Sequence, residues 1–254
     1  MEGTLLDALE GLLGGRPTLC AASRTDRGVH AAGQVASFEC DAGIPTERIA
    51  RALNGRLPDD VRVRSAEEAP EGFHARFSAV GKHYRYVIDR RDVPGIFLSR
   101  RALHVPGPLD LERLEEAAQA LVGEHDFAAF ACARDGPGES EKTTVRTVYG
   151  IFVAAADEVL VLDFWGRSFL YKMVRVLAGS LLEVARGSWT ADRLRAALAS
   201  RDRRQAGPTL PARGLCLQSV YYDPRALEAA VESAARRSEG TPGAVSSLFR
   251  ELVL

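Results

Sequence analysis

The two halves of this chain repeat the same order of helix and strand patterns, and this repetition restricts the possible folds more than any other feature. In the first half, apolar residues recur every three or four positions from Thr4 to Gly14, which predicts an amphipathic helix ended by glycine. Thr4 with Asp7 resembles a capping box at its start. Two strands, a second helix and two more strands are predicted over 18–22, 34–40, 46–57, 61–65 and 79–88.

The second half begins after residues 100–108, where the chain is predicted to cross between the halves. It repeats the outline with a helix, a hairpin, an apolar helix capped by Ser168, a short helix and a strand, predicted over 110–122, 143–154 with 158–165, 168–185, 192–199 and 214–222.

This outline predicts an α+β fold of two similar lobes. Their mainly antiparallel sheets are expected to join into one extended sheet, with helices on one face. The N-terminal lobe would span residues 1–102 and the C-terminal lobe residues 103–224, followed by a tail or peripheral helix over 225–254. A hydrophobic content of 46% is sufficient for a core of this size.

The chain has no excess of basic residues, with 33 Lys and Arg against 34 Asp and Glu. Proteins that bind nucleic acid are usually more basic, although phosphate binding needs only a local basic face. The sequence contains no apolar run of about eighteen residues and no N-terminal secretory pattern. Its four cysteines lack the close pairs of zinc or redox sites. These features predict a cytoplasmic protein with reduced thiols and no metal site.

Asp26 stands in the segment Thr25-Asp26-Arg27-Gly28, for which two interpretations compete. An Asp that precedes X-Gly commonly forms a turn. However, Arg24 and Arg27 flank this carboxylate, an arrangement that favours ionised acids and offers cations to a phosphate backbone. An ionised Asp can act as a covalent nucleophile.

Two cations interrupt the apolar helix predicted from Ser168. Lys172 and Arg175 are three positions apart, so they are expected to share one helix face. Their charged ends could reach solvent from a solvated face. Alternatively, a buried Arg175 would require an anion.

Tyr84 and Tyr86 occupy alternate positions of the strand predicted over 79–88, so both should point to one face. Rings interleaved with cations suit a stacked base and its phosphates. An ordinary half-buried strand is the competing interpretation. A second aromatic and basic cluster is Phe73-His74-Ala75-Arg76-Phe77, and we expect one basic face lined by Arg24, Arg76, Lys82 and Arg85.

The segment from Ser23 to Val35, S-R-T-D-R-G-V-H-A-A-G-Q-V, resembles the [AS]-R-T-D-x-G-V-H-A-x-G-Q-V signature of the bacterial tRNA pseudouridine synthase A family. This motif, from Ser23 to Val35, is highly specific, and the whole resemblance covers nearly all of the chain. It implies the pseudouridine synthase fold, with the active-site cleft between the lobes. Further stretches agree in the same order over 73–86, 123–130, 169–182 and 207–221.

The resemblance also implies a role for each matching residue. Asp26 would be the nucleophile, Arg175 its ion-pair partner and Tyr84 the ring that packs on the uracil. Arg24 would replace the target base in the stack when it flips out. The remaining RNA-binding positions would be Phe73, His74, Ala75, Arg76, Phe77 and Lys82.

The family acts on tRNA and needs no cofactor, because its reaction neither oxidises nor hydrolyses the substrate overall. The resemblance implies conversion of uridines 38, 39 and 40 of the anticodon stem-loop to pseudouridine. It also implies a homodimer in which one tRNA spans both subunits.

Two departures from the family pattern leave alternatives open. The loop from Cys132 to Lys142 is acidic where a basic tRNA contact is expected. The family also begins with a Y-D-G-x-x-F-x-G-W-Q strand and loop, so we expect a first strand to be missing before Met1. A non-catalytic RNA-binding remnant and a synthase with another RNA target are the alternatives. The presence of Asp26, Tyr84 and Arg175 favours an active enzyme.

Overall fold

The computed structural model describes residues 1–40, 43–133, 143–156 and 158–239. Its contacts divide the chain into two compact units, one formed by Met1–Arg24 with Val35–Ser78 and the other by Thr25–Gln34 with the chain from Ala79 onward. This division does not coincide with the lobe boundary predicted at residue 102, because a strand of the first half pairs with two strands of the second. Within the described part of the chain, no helix is long and apolar enough to cross a membrane.

In its described residues, the first unit contains two helices, α1 (Glu2–Leu13) and α2 (Thr46–Asn54). Both were predicted, and they share a small apolar core in which Leu9 and Leu53 are buried. The capping box predicted at Thr4 is wrong, because α1 already begins at residue 2 and has no side-chain cap.

The strands of the first unit are shorter than the sequence indicates. β1 (Cys20–Ala21) and β3 (Ala36–Ser37) form an antiparallel pair of two residues each. The strand predicted over 61–65 is wrong. There, the Asn54 side chain donates to the carbonyl of Val63 and accepts from its N–H, both at 2.8 Å. A side chain thus satisfies backbone groups that a neighbouring strand would otherwise satisfy.

The second unit is built on a mixed seven-stranded sheet. Its spatial order is β2 (His30–Ala31), β9 (Leu215–Tyr221), β4 (Gly81–Asp89), β8 (Val159–Gly166), β7 (Val145–Ala156) and β6 (Gly123–Asp126), with β5 (Leu103–His104) also beside β4. β2 lies parallel to β9 and β5 parallel to β4, and the other pairs are antiparallel. The predicted α+β class with a mainly antiparallel sheet is confirmed.

Helices cover both faces of this sheet. α3 (Leu111–Gln119), α4 (Met173–Ala185) and α5 (Ala191–Ser200) enclose the main apolar core on one face. α6 (Pro224–Glu239) packs on the opposite face, around Trp165. The expectation of helices on one face therefore holds for three of them and is wrong for α6, because apolar side chains also point to that second face.

The start of α4 differs from the prediction. The helix begins at residue 173, not at Ser168, and its N-cap is Lys172 in the left-handed conformation, with φ of 60°. The carbonyl of Tyr171 accepts a hydrogen bond from the Cys132 N–H at 3.1 Å, so the preceding backbone is engaged outside the helix. The expectation that Lys172 and Arg175 share a helix face is therefore wrong.

The second face of the sheet also holds a buried ionic cluster of His83, Arg85 and Asp163. Arg85 donates to both carboxylate oxygens of Asp163 at 2.8 and 3.0 Å, and His83 Nε2 lies 2.8 Å from one of them. Burial acts to raise the pKa of Asp163, but the hydrogen bond with His83 and the charges of His83 and Arg85 outweigh it and lower the pKa to about 2.

We expect Asp163→Asn to lower the free energy of unfolding by about 3–5 kcal/mol, because the buried Arg85 would lose this carboxylate. Since the folded pKa lies below the ordinary 3.8, the carboxylate stabilises the fold fully above about pH 4 and loses this effect as the pH falls toward 2. Denaturant unfolding of both proteins between pH 7 and 2 measures this. A difference between them that does not shrink in acid would contradict the assignment.

Candidate functional site

Asp26 and Arg175 meet in an ion pair within the second unit. Arg175 Nη1 donates to Asp26 Oδ2 at 2.6 Å, and the two side chains are 14% and 16% exposed, with Arg175 the more buried. Charge-assisted hydrogen bonds of this length are strong when solvent is largely excluded. The arrangement fixes one carboxylate oxygen and leaves the side chain reachable, as covalent catalysis by an Asp requires.

The backbone of Leu210 sets the orientation of the Arg175 guanidinium. Arg175 Nε donates to the Leu210 carbonyl at 2.7 Å, and the Leu210 N–H donates to the Arg175 carbonyl at 3.2 Å. Because the guanidinium is planar, fixing Nε also fixes the direction in which Nη1 points. Leu210 thus aims Arg175 at Asp26.

The segment 207–211 lies against α4 because two glycines permit close backbone contact. A Cβ on Gly179 would lie 2.0 Å from the Pro208 carbonyl oxygen, and one on Gly207 would lie 2.7 Å from the Cα of Ser180. The Gly207 N–H donates to Ser180 Oγ at 2.9 Å. A larger residue at either glycine would push the segment away from the helix.

The loop that carries Asp26 is a turn anchored on its C-terminal side. The Val29 N–H donates to the Asp26 carbonyl at 3.0 Å, and Val29 is buried in the main core. Gly28 has φ of 86°, a conformation that favours glycine. Arg27 is exposed at this turn. Asp26 therefore satisfies both interpretations of its sequence, since its backbone forms a turn and its side chain forms the ion pair.

Tyr84 and Tyr86 both point into the main core, as their spacing predicts. Tyr84 is 6% exposed and meets Phe169 edge-on, with ring centroids 5.4 Å apart. Tyr86 is fully buried, and its hydroxyl donates to the Pro211 carbonyl at 2.8 Å. All residues of β4 are buried, so the strand is more buried than the competing interpretation supposed, and the role of Tyr84 at the substrate stays a prediction.

Arg24 and the segment 73–77 belong to the first unit. Arg24, Arg76 and Phe77 are exposed, and the Arg76 guanidinium lies 5.6 Å from the centre of the Phe77 ring. An exposed ring beside a cation suits a stacked base and its phosphate. The other members of the segment are partly or fully buried, namely Phe73, His74 and Ala75.

The expected basic face does not include Lys82 or Arg85. Lys82 is 7% exposed and Arg85 is 5% exposed, because the side chains of β4 alternate between two covered faces. Arg85 is also committed to Asp163. The expectation was therefore wrong for these two residues. The role of Lys82 in RNA binding stays a prediction.

Sequence reasoning missed the residues that hold the ion pair in place. Leu210 acts through its backbone carbonyl, which leaves no side-chain pattern in a sequence. The available signal was Gly179, because a glycine inside an apolar helix lowers helix stability and indicates close backbone contact.

Two further predictions, the lack of a metal site and the acidic loop, can be compared only with the residues that the structure describes. Over 1–40, 43–133, 143–156 and 158–239, no group of three or more His, Cys, Asp or Glu side chains could hold a metal ion. The acidic loop from Cys132 to Lys142 lies almost entirely outside these ranges, as does the end of the chain after residue 239.

Comparisons with known proteins agree with the resemblance carried by the motifs. The family model described as tRNA pseudouridine synthase matches residues 8–78 and 117–223. The tRNA pseudouridine synthase A of Acetivibrio thermocellus is 43% identical over 222 residues, which are 87% of this chain and 89% of that protein. The protein of the same name from Bacillus subtilis is 42% identical over 208 residues, covering 82% of this chain and 83% of that one.

Among solved structures, the crystal structure of a Cbf5-Nop10-Gar1 complex contains a chain that is 12% identical to this one, with a TM-score of 0.37. The match covers 86% of this chain and 45% of that chain, so this chain spans about half of its length.

Proposed function

Because the chain belongs to the tRNA pseudouridine synthase family, we propose that it isomerises uridines 38, 39 and 40 of the tRNA anticodon stem-loop to pseudouridine. Asp26 is the nucleophile in this proposal. The observation that carries it is the ion pair of Asp26 with Arg175 at 2.6 Å, formed by residues far apart in the sequence.

The reaction is an isomerisation in which atoms and electrons balance within the substrate. The N1–C1′ bond of uridine breaks and a C5–C1′ bond forms, while C5 loses a proton and N1 gains one. The carboxylate of Asp26 adds either to the uracil ring or to the sugar carbon. In either route the bond between Asp26 and the substrate breaks again before the product leaves, so the carboxylate is regenerated and both routes are covalent catalysis. Arg175 balances the carboxylate charge and keeps the attacking group in one orientation.

The target base must leave the stack before the carboxylate can reach it, and this unstacking costs roughly a few kcal/mol of free energy. In our proposal, Arg24 occupies the vacated position and Tyr84 packs on the flipped uracil. The exposure of Arg24 supports its assignment. The assignment of Tyr84 rests on its match to the family motif over residues 73–86. The further RNA contacts are assigned to Phe73, His74, Ala75, Arg76, Phe77 and Lys82.

The same proposal includes a homodimer in which one tRNA spans both subunits, acting in the cytoplasm where tRNA is found. This part of the proposal rests on the family resemblance, whose model matches residues 8–78 and 117–223. Light scattering of the free protein and of its tRNA complex tests the stoichiometry. A complex of one chain with one tRNA would contradict the homodimer.

Mapping of pseudouridine in unmodified tRNA transcripts, incubated with the purified protein, tests the activity. We expect pseudouridine at positions 38, 39 and 40 and at no other uridine. Pseudouridine at other positions would indicate a different RNA target. Its absence from every transcript would contradict the proposed activity.

We expect activity to survive chelation and dialysis, since the isomerisation consumes no oxidant, reductant or hydrolytic water. The rate of pseudouridine formation before and after treatment with EDTA measures this. A matched sample that receives EDTA with excess zinc is the control. Loss of activity with EDTA that zinc restores would contradict the prediction.

A further inference from the structure

Tyr86 connects the central strand β4 to the segment that orients Arg175. Its hydroxyl donates to the Pro211 carbonyl at 2.8 Å. Its ring lies so close to Gly214 that a Cβ at that glycine would be 2.7 Å from the ring carbon Cζ. The residues from 211 to 214 are therefore held against β4 by a hydrogen bond and by ring packing.

The residue before Pro211 is bonded to α4 through both of its backbone groups. The Leu210 N–H donates to the Arg175 carbonyl, and the Leu210 carbonyl accepts from Arg175 Nε. Leu210 and Pro211 are consecutive, and proline fixes its own φ. A shift of the Pro211 ring would therefore also move the Leu210 carbonyl, whose carbon is bonded to the ring nitrogen, and with it the guanidinium that this carbonyl orients.

We propose that Tyr86 is a positioning residue for pseudouridine formation. Its hydroxyl holds Pro211, and through Leu210 this contact keeps Arg175 aimed at Asp26. The inference rests on the proposed function, in which Asp26 attacks the substrate and Arg175 is its partner. Tyr86 acts only through these residues, since its side chain is fully buried in the core.

A tyrosine in this position is a constant hydrogen-bond donor. Burial raises the pKa of Tyr86 well above its ordinary 10.0, and the charges of Arg175 and Arg213 oppose this only in part. The phenol therefore keeps its proton in the neutral range, where it remains able to donate to Pro211.

Small displacements at this site have large consequences for the rate. A misplacement of about 1 Å in a catalytic group can lower a rate by about a hundredfold, because the reacting atoms must be aligned. Removal of one hydroxyl leaves the Tyr86 ring in place, so we expect a smaller shift of the segment and a smaller loss.

Tyr86→Phe tests the proposal, with Tyr149→Phe as the matched control. Tyr149 also donates from a phenol hydroxyl to a backbone carbonyl, that of Val80 at 3.1 Å, but it packs on the opposite face near Trp165. We expect Tyr86→Phe to lower kcat about tenfold while KM for tRNA stays within about twofold. Tyr149→Phe should change neither constant more than about twofold.

The outcomes separate this inference from the proposed function. A wild-type protein that forms no pseudouridine in tRNA would overturn both. With an active wild type, the role of Tyr86 alone is overturned if the kcat of Tyr86→Phe stays within about twofold of wild type, or if KM rises without a fall in kcat. Two further outcomes would also overturn the role of Tyr86, because they would show that its hydroxyl serves the fold. One is an equal loss of kcat in both variants, and the other is a Tyr86→Phe protein whose thermal melting shows no folded state.

Discussion

Replacing Asp26 by Asn is expected to lower pseudouridine formation by at least about 10⁴-fold, because an amide cannot act as the nucleophile. Asn has nearly the same shape as Asp, and its carbonyl oxygen can still accept the hydrogen bond that Arg175 Nη1 donates to Asp26 Oδ2. The fold should therefore be retained. Affinity for tRNA should change by no more than a few-fold, because phosphate contacts supply most of the binding.

Single-turnover measurement with excess enzyme on a tRNA transcript detects the chemical step directly, and filter binding gives the affinity. Asp192→Asn is a matched control, because Asp192 pairs with Arg195 at 2.7 Å on the exposed side of α5. That variant should keep wild-type activity. Turnover by Asp26→Asn above the level of an enzyme-free blank would contradict the assignment of the nucleophile.

The parts of the fold that the sequence predicts well are those with strong periodicity and local end signals. The hairpin of β7 and β8 and the strand β4 were predicted within a few residues. α3 was predicted with its N-terminus at Asp110, whose carboxylate accepts from the Arg113 N–H at 3.1 Å. In each case the pattern and the tertiary structure favour the same element.

The predictions failed where tertiary contacts overrode a local pattern. Ser168 has the sequence of a helix cap, yet the backbone that follows it bonds to a distant segment through the Tyr171 carbonyl. Residues 61–65 alternate apolar and polar side chains as a strand does, yet the Asn54 side chain provides the hydrogen bonds at Val63. Neither partner is adjacent in sequence, so a pattern read along the chain cannot include it.

The sequence likewise predicted some parts of the candidate site and missed others. The motif around Asp26 and the unusual cation at Arg175 identified the two side chains, and the structure places them in contact. The orientation of the guanidinium depends on the carbonyl of Leu210 and on close backbone contacts along α4. Backbone groups are the same in every residue, so sequence alone gives no sign of which carbonyl performs this task.

Substitutions at Arg175 are expected to lower activity in a fixed order. Arg175→Ala should have the largest effect, about 10³-fold in kcat, because the Asp26 carboxylate would lose the cation that balances and orients it. Arg175→Lys should lower kcat by about 10²-fold. Lysine keeps the positive charge that alanine lacks, but it has no planar guanidinium that can donate to Asp26 and to the Leu210 carbonyl at the same time.

Arg27→Ala is the matched control for this series, because Arg27 is adjacent to Asp26 in sequence but exposed. We expect its effect to stay within a few-fold and to fall mainly on KM, since an exposed cation contributes to phosphate binding more than to the chemical step. Steady-state kinetics on one tRNA, with thermal melting to compare the folds, measures the series. If Arg27→Ala lowered kcat as much as Arg175→Ala, or if Arg175→Lys had wild-type kcat, the guanidinium would not act by orienting and balancing the Asp26 carboxylate.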